Sequence, residues 1–337
     1  MAALLNHLAK SDNDTATNII PISQTVATRI LFLYSEAVCV ITPLKPSMSF
    51  ATITQSYLKL CKVKVVLLMV FSAMVGMLLC YNTGFPWMQG ILGLVGISLV
   101  ASAGGAFNHI IDRKRDMHMS RTQHRPLVSG NISVRHATLF ACILLIGGSG
   151  ILWCYTNPLT TYLTIAAMCG YAFIYSTLLK PHTPQNIVIG GITGAIPPLL
   201  GWTSITGSID TMPIILVMII YLWTPPHFWA LAIAKKADYA QANVPMLPVT
   251  HGIVFTKMQI ILYSILTVLC TYLPVALQTT NHIYMVGVTL VNIILLHMAI
   301  RLYRDRSHQL AMPLFHYSIT YLIILFACIL LDHFLPI

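Results

Sequence analysis

The sequence predicts an all-α polytopic membrane protein: about nine transmembrane helices in a bundle around a central apolar cavity that opens at the cytoplasmic side. Three observations predict it. The 337-residue chain is 57% hydrophobic and only 8% charged, where a soluble domain carries about 25% charged residues. Its mean hydropathy is +0.78, so most of its solvent must be lipid. The charges are also segregated. None occurs from 65 to 107, from 137 to 179 or from 258 to 300, while 181–234 holds only Asp210 and 307–337 only Asp332. Finally, all 19 Lys and Arg fall in the N-terminal segment or in the clusters between these stretches.

The elements follow in order. Residues 1–60 read as an N-terminal cytoplasmic extension. Its first 25 residues are polar (SDNDTATN) and lack the apolar core of a signal peptide. Residues 26–41 are apolar but carry Arg29 and Glu36, which suits a surface-lying helix better than a span. Met48 is an alternative start. From 61 to 337 the chain reads as the membrane domain. A span needs about 20 apolar residues, so each 43-residue gap and the 54-residue stretch hold a hairpin, and the last holds a single span. The expected spans are 64–82, 88–107, 136–155, 159–178, 186–203, 212–234, 257–276, 281–300 and 315–335. Asn82-Thr83-Gly84, Asn157-Pro158, Gly207-Ser208 and Thr280-Asn281 mark the hairpin tips. The basic clusters then all share one face, which the positive-inside rule makes the cytoplasm, leaving the C-terminus outside. The same rule accounts for the formal charge of +10 without nucleic acid. Eight Cys without a CxxC pair read as small buried hydrophobes, not as disulfides or a zinc site.

The chemistry is expected on that basic face. Asn108, Asp112 and Asp116 are spaced i, i+4, i+8 and share one helix face. Stacked oxygen ligands suit Mg²⁺, which completes its shell with phosphate and water. Arg121 and Arg125 match phosphate oxygens bidentately. Lys180, in the run YSTLLKPHTPQN, is placed to meet the same anion, and otherwise serves as a topology anchor. Pro225-Pro226 is expected to kink or unwind the sixth span and leave His227 among Trp223, Phe228 and Trp229. Acids together with Arg and Lys beside apolar spans fit a metal-bound diphosphate on a lipid tail.

The run NHIIDRKRDMHMSRTQHRPL resembles the first signature of the UbiA superfamily of intramembrane prenyltransferases, N-x-x-x-D-x-x-x-D. More narrowly it is similar to the branch that farnesylates protoheme IX, through Asp116–Leu127 (D-x-x-M-x-R-T-x-x-R-P-L), YSTLLKPHTPQNIVIGG at 175–191, WTPPHFWALA at 223–232 and VPMLPV at 244–249. The resemblance covers about 60 to 330. It implies that farnesyl diphosphate binds through Mg²⁺, that departure of diphosphate yields an allylic cation, and that a heme vinyl group attacks it to form heme O. It implies Asn108, Asp112 and Asp116 on one side of the Mg–diphosphate and Asp238 on the other, with Lys180 beside them as a catalytic residue. Arg121, Arg125, Tyr175, Trp223, His227 and Tyr239 form the substrate-binding set, His227 as the heme contact. The implied location is a bacterial inner membrane, and the implied partners are heme A synthase or oxidase assembly factors. The sequence departs from the family pattern at Ala237, where an acid is usual, at Asn243, where Gly is usual, and at Lys62-Val-Lys64, where Lys-Pro-Arg is usual. A prenyltransferase for an aromatic or quinone precursor and a non-enzymatic heme carrier are the rival readings. The WTPPHFW and VPMLPV runs disfavour the first and the intact Asn108/Asp112/Asp116 set disfavours the second.

Overall fold

A computed structural model describes residues 49–80, 84–119 and 122–335, so the expectations for residues 26–41 and Met48 lie outside the described residues. The described chain is nearly all helix. In order it forms α1 (Phe50–Leu60), α2 (Val63–Leu79), α3 (Trp87–Asp116), α4 (Val134–Tyr155), α5 (Pro158–Cys169), α6 (Asn186–Ala195), α7 (Pro197–Thr206), α8 (Thr211–Ala234), α9 (Lys236–Gln241), α10 (Gly252–Thr271), α11 (His282–Arg304) and α12 (Ala311–Phe334). Eight segments among the described residues are long and apolar enough to cross a membrane. A ninth is possible if α1 and α2, bent by 51° at their junction, form one span. The expected spans thus have counterparts, with α6 and α7 joined as one.

Three features arrange these helices. The first is close backbone contact. A Cβ on Gly201 would sit 1.8 Å from the Ala73 carbonyl oxygen, and one on Gly76 would sit 2.0 Å from that of Pro198. Without side chains there, α2 and α7 meet backbone to backbone, as helices in lipid do when small residues allow it. The second is the centre of the bundle, α8, which packs on α6, α10 and α12 and buries Trp223, Thr224, Pro225, Pro226, His227 and Trp229. By contrast α4 turns Leu139, Ile143 and Ile146 outward, as a lipid-facing helix should.

The third feature corrects an expectation. Pro225 and Pro226 do not unwind α8, which runs unbroken from Thr211 to Ala234. Buried helices tolerate proline where neighbouring helices and Ser or Thr side chains re-satisfy the backbone. Here α6, α10 and α12 pack around α8 and bury both prolines.

The two isolated acids near the hairpin tips have structural partners. Asp332, buried at the end of α12, accepts from the backbone N–H groups of Asn281 (2.6 Å) and Tyr284 (3.0 Å) and so caps α11. Asp210 accepts from Trp202 Nε1 (2.6 Å) and the Ser208 hydroxyl (2.8 Å).

Candidate active site

The last turns of α3 carry the site. This helix continues past the expected span end at 107 as far as Asp116, so Asn108, Asp112 and Asp116 are presented on rigid helix. All three are buried, with Asp112 only 1% exposed. Three other segments converge on them.

The first is the α1–α2 junction. Gly105 lets α3 pass close to it: a Cβ there would meet the Leu60 and Cys61 carbonyl oxygens at 3.1 and 3.2 Å. Lys62, in left-handed backbone at φ 52°, turns the chain at that point. Its Nζ donates to Asn108 Oδ1 (2.5 Å) and to the Tyr171 hydroxyl (2.7 Å).

The second is the continuation of α5. Beyond Cys169 the chain widens into a π-helix, Gly170–Leu179, before Lys180–His182. Stretches of this kind are rare and concentrate at functional sites. The longer i→i+5 repeat brings Tyr171, Ser176 and Lys180 toward α3. The Asn108 amide donates to Ser176 Oγ (2.7 Å) and to Asp112 Oδ2 (3.1 Å). Lys180 Nζ pairs with Asp112 Oδ2 (2.5 Å). Tyr171 and Tyr175 stack at 6.0 Å between centroids.

The third is the segment after α3. Arg125 NH1 pairs with Asp116 Oδ2 (2.6 Å), and the Thr122 hydroxyl holds the Asp116 carbonyl (3.1 Å). Arg115 reaches back to Asp112 Oδ1 (2.9 Å) and to the Ser176 carbonyl (2.9 Å).

Four cations (Lys62, Arg115, Arg125 and Lys180) therefore surround two carboxylates, Asp112 and Asp116, with an excess of two positive charges. Half-buried positive charge around a buried carboxylate face attracts an incoming anion. Among the described residues no group of three or more His, Cys, Asp or Glu is arranged to hold a metal ion. The donors on α3 are instead two carboxylates and an amide. Such a hard-oxygen set suits Mg²⁺, which takes one or two protein carboxylates and fills its shell with phosphate and water.

Of the predicted site residues, the geometry joins Asn108, Asp112, Asp116, Arg125 and Lys180. Arg121 lies outside the described residues. Asp238 is half-buried on the short helix α9, while its neighbour Tyr239 is buried and within electrostatic range of Tyr175. His227 and Trp223 form a separate cluster. The His227 ring lies between Trp223 and Phe315, at 4.4 Å from each, and its Nδ1 bonds Ser318 Oγ (2.7 Å). Lys62, Arg115, Tyr171 and Ser176 were missed as site residues. The available signals were Lys62 in the usual Lys-Pro-Arg position and a Tyr and Ser bracketing Tyr175.

Residues 69–326 match the model of the UbiA prenyltransferase family, and the chain belongs to that family. Within it, the chain is 48% identical over 283 residues to the protoheme IX farnesyltransferase of Hahella chejuensis, covering 84% of this chain and 95% of that one. It is 46% identical over 282 residues to the protoheme IX farnesyltransferase of Azotobacter vinelandii, covering 84% and 94%. Its fold is similar to a solved digeranylgeranylglyceryl phosphate synthase structure (TM-score 0.71, 19% identity, 84% of this chain and 99% of that one). It is also similar to a UbiA homolog from Archaeoglobus fulgidus bound to DMAPP and Mg²⁺ (TM-score 0.58, 17% identity, 81% and 99%).

Proposed function

We propose that this chain transfers the farnesyl group of farnesyl diphosphate to a vinyl group of protoheme IX, with water completing the hydroxyethylfarnesyl substituent of heme O and diphosphate leaving. The observation that carries the reading is the buried Asn108/Asp112/Asp116 face with its excess of cations. A lipid-linked diphosphate is the anion that such a site accommodates, and the protoheme IX farnesyltransferases of Hahella and Azotobacter are near-full-length relatives.

Asn108, Asp112 and Asp116 would hold Mg²⁺, with Asp238 approaching from α9. When bound, the ion supplies charge that stabilises the departing diphosphate. The chain's own residues do the rest. Lys180 and Arg115 now neutralise Asp112, and on substrate binding they turn toward phosphate oxygens. Arg125 does the same beside Asp116, with Arg121 as a further phosphate contact. Guanidinium and ammonium groups fixed before the reaction stabilise the charge that builds as the C–O bond breaks. Lys62 holds the Asn108 amide oxygen and so orients its side chain. Tyr175 and Tyr239 flank the allylic end of the chain, and the apolar cavity keeps stray water from the cation. His227 can meet heme only through Nε2, because Nδ1 is occupied by Ser318. The protein acts in a bacterial inner membrane with the basic face cytoplasmic and the C-terminus outside, and it hands heme O to heme A synthase or an oxidase assembly factor.

The test is pigment analysis. The chain is expressed in a heme-O-deficient bacterial membrane beside an Asp112→Ala control, and the extracted hemes are chromatographed. Heme O formed only by the intact sequence is the expected result. Its absence from a folded, inserted protein would overturn the reading.

A further inference from the structure

The C-terminal end of α11 carries a feature that farnesyl transfer does not use. A shallow, open surface recess is lined by Arg301, Arg304, Asp305, Ser307, Gln309 and Leu310. Arg301 and Arg304 lie in the last turn of α11, and Arg306 follows them. These three arginines make no ion pair among the described residues.

The single acid of the cluster is already engaged. Asp305 Oδ1 accepts from the Ser307 hydroxyl (2.6 Å) and N–H (2.8 Å), and Oδ2 accepts from the Leu310 N–H (3.0 Å). The Ser307 hydroxyl first, then the Leu310 N–H, hold this carboxyl well below the usual carboxylate range, so it stays a cap on the turn into α12. The turn is anchored from beneath as well. Lys257 is 4% exposed and donates from Nζ to the Asp305 carbonyl (2.5 Å). The turn beside the recess is therefore held in place, with Arg301 and Arg304 making no ion pair among the described residues.

Its surroundings identify the ligand class. Helix α11 packs mainly on α10 and α12, so it lies at the edge of the bundle, away from α3. Above the recess, Leu290, Ile293 and Ile300 are exposed along α11 at spacings that place them on one face, leading down to Arg304. A phosphate held by arginines below an apolar strip is the outline of an anionic phospholipid, and basic recesses at helix ends recognise such headgroups.

We propose that the recess at the end of α11 binds the phosphate of an anionic phospholipid through Arg301 and Arg304, with the acyl chains lying on Leu290, Ile293 and Ile300. Native mass spectrometry of the full chain in detergent tests this, using titrations with phosphatidylglycerol, phosphatidylcholine and inorganic phosphate. Phosphatidylglycerol should be retained at about tenfold lower concentration than phosphatidylcholine. R301Q/R304Q should lose about tenfold or more of that affinity, with phosphatidylcholine binding unchanged. Equal retention of phosphatidylglycerol by wild type and R301Q/R304Q would overturn the proposal. So would displacement of the lipid by stoichiometric inorganic phosphate, which would mark a free-phosphate site. A photoactivatable phosphatidylglycerol crosslinked to the wild type requires no variant: adducts concentrated in 290–310 support the proposal, and adducts spread over all spans refute it.

Discussion

Replacing Asp112 by Asn removes one charge from the site and almost no volume. In the ligand-free protein the Asp112 carboxylate balances Lys180 at 2.5 Å and Arg115 at 2.9 Å and accepts from Asn108 at 3.1 Å. Breaking a fully buried ion pair costs about 3–5 kcal/mol. Here Lys180 and Arg115 keep 15% and 27% of their side chains exposed, and the Asn oxygen still accepts one bond. The cost in stability should fall to about 1–2 kcal/mol. For a chain of this size that is a loss of roughly 1–3 °C in Tm. Catalysis should suffer far more. The substituted face offers one carboxylate to a metal-bound diphosphate, and loss of one preorganised electrostatic group typically costs about 10²–10³ in rate. The assay is heme O formed per unit of folded protein, read by chromatography, with thermal unfolding in detergent beside it. Turnover within tenfold of wild type at a comparable Tm would refute the role given to Asp112.

Four further outcomes follow from the geometry. Chelation with EDTA should abolish heme O formation in purified membranes and Mg²⁺ should restore it, as product chromatography will report; activity indifferent to both would remove the metal from the site. Asn243 sits at φ 51° just after α9, so Asn243→Gly should leave Tm nearly unchanged while Asn243→Val should cost about 1–2 kcal/mol, measured by thermal unfolding. Gly201→Ala would drive a Cβ to 1.8 Å from the Ala73 carbonyl oxygen and should cut the yield of folded protein severely, by more than about 3 kcal/mol, read by size-exclusion after solubilisation. His227→Ala should cost about 2–4 kcal/mol of packing and also weaken heme binding in a spectroscopic titration; unchanged heme affinity would leave the residue a purely structural one.

Two departures from the family pattern look different once the fold is known. Asn243 occupies a left-handed position, where Gly is favoured and Asn is the best tolerated alternative, so its presence there is conformationally mild. Ala237 lies exposed on α9 beside half-buried Asp238.

The succession of apolar helices was legible in the sequence because lipid tolerates charge so poorly that charge-free stretches read as membrane segments, but the extension of α3 to Asp116 and the bent α1–α2 pair were not. The shared face of Asn108, Asp112 and Asp116 on α3 was legible because a helix repeats every 3.6 residues, so i, i+4, i+8 must share a face. What could not be read was which distant groups meet that face. Lys62 reaches Asn108 across 46 residues because Gly105 admits the bent α1–α2 junction, and neither the bend nor the left-handed Lys62 leaves a periodic trace. Ser176 reaches α3 through a π-helix, a widening of the backbone that apolar patterning cannot distinguish from α-helix. The Pro-Pro pair read locally as a break, yet α8 stays whole where α6, α10 and α12 pack around it and bury both prolines. Local chemistry chose the elements and one face of the site; packing between elements chose the partners.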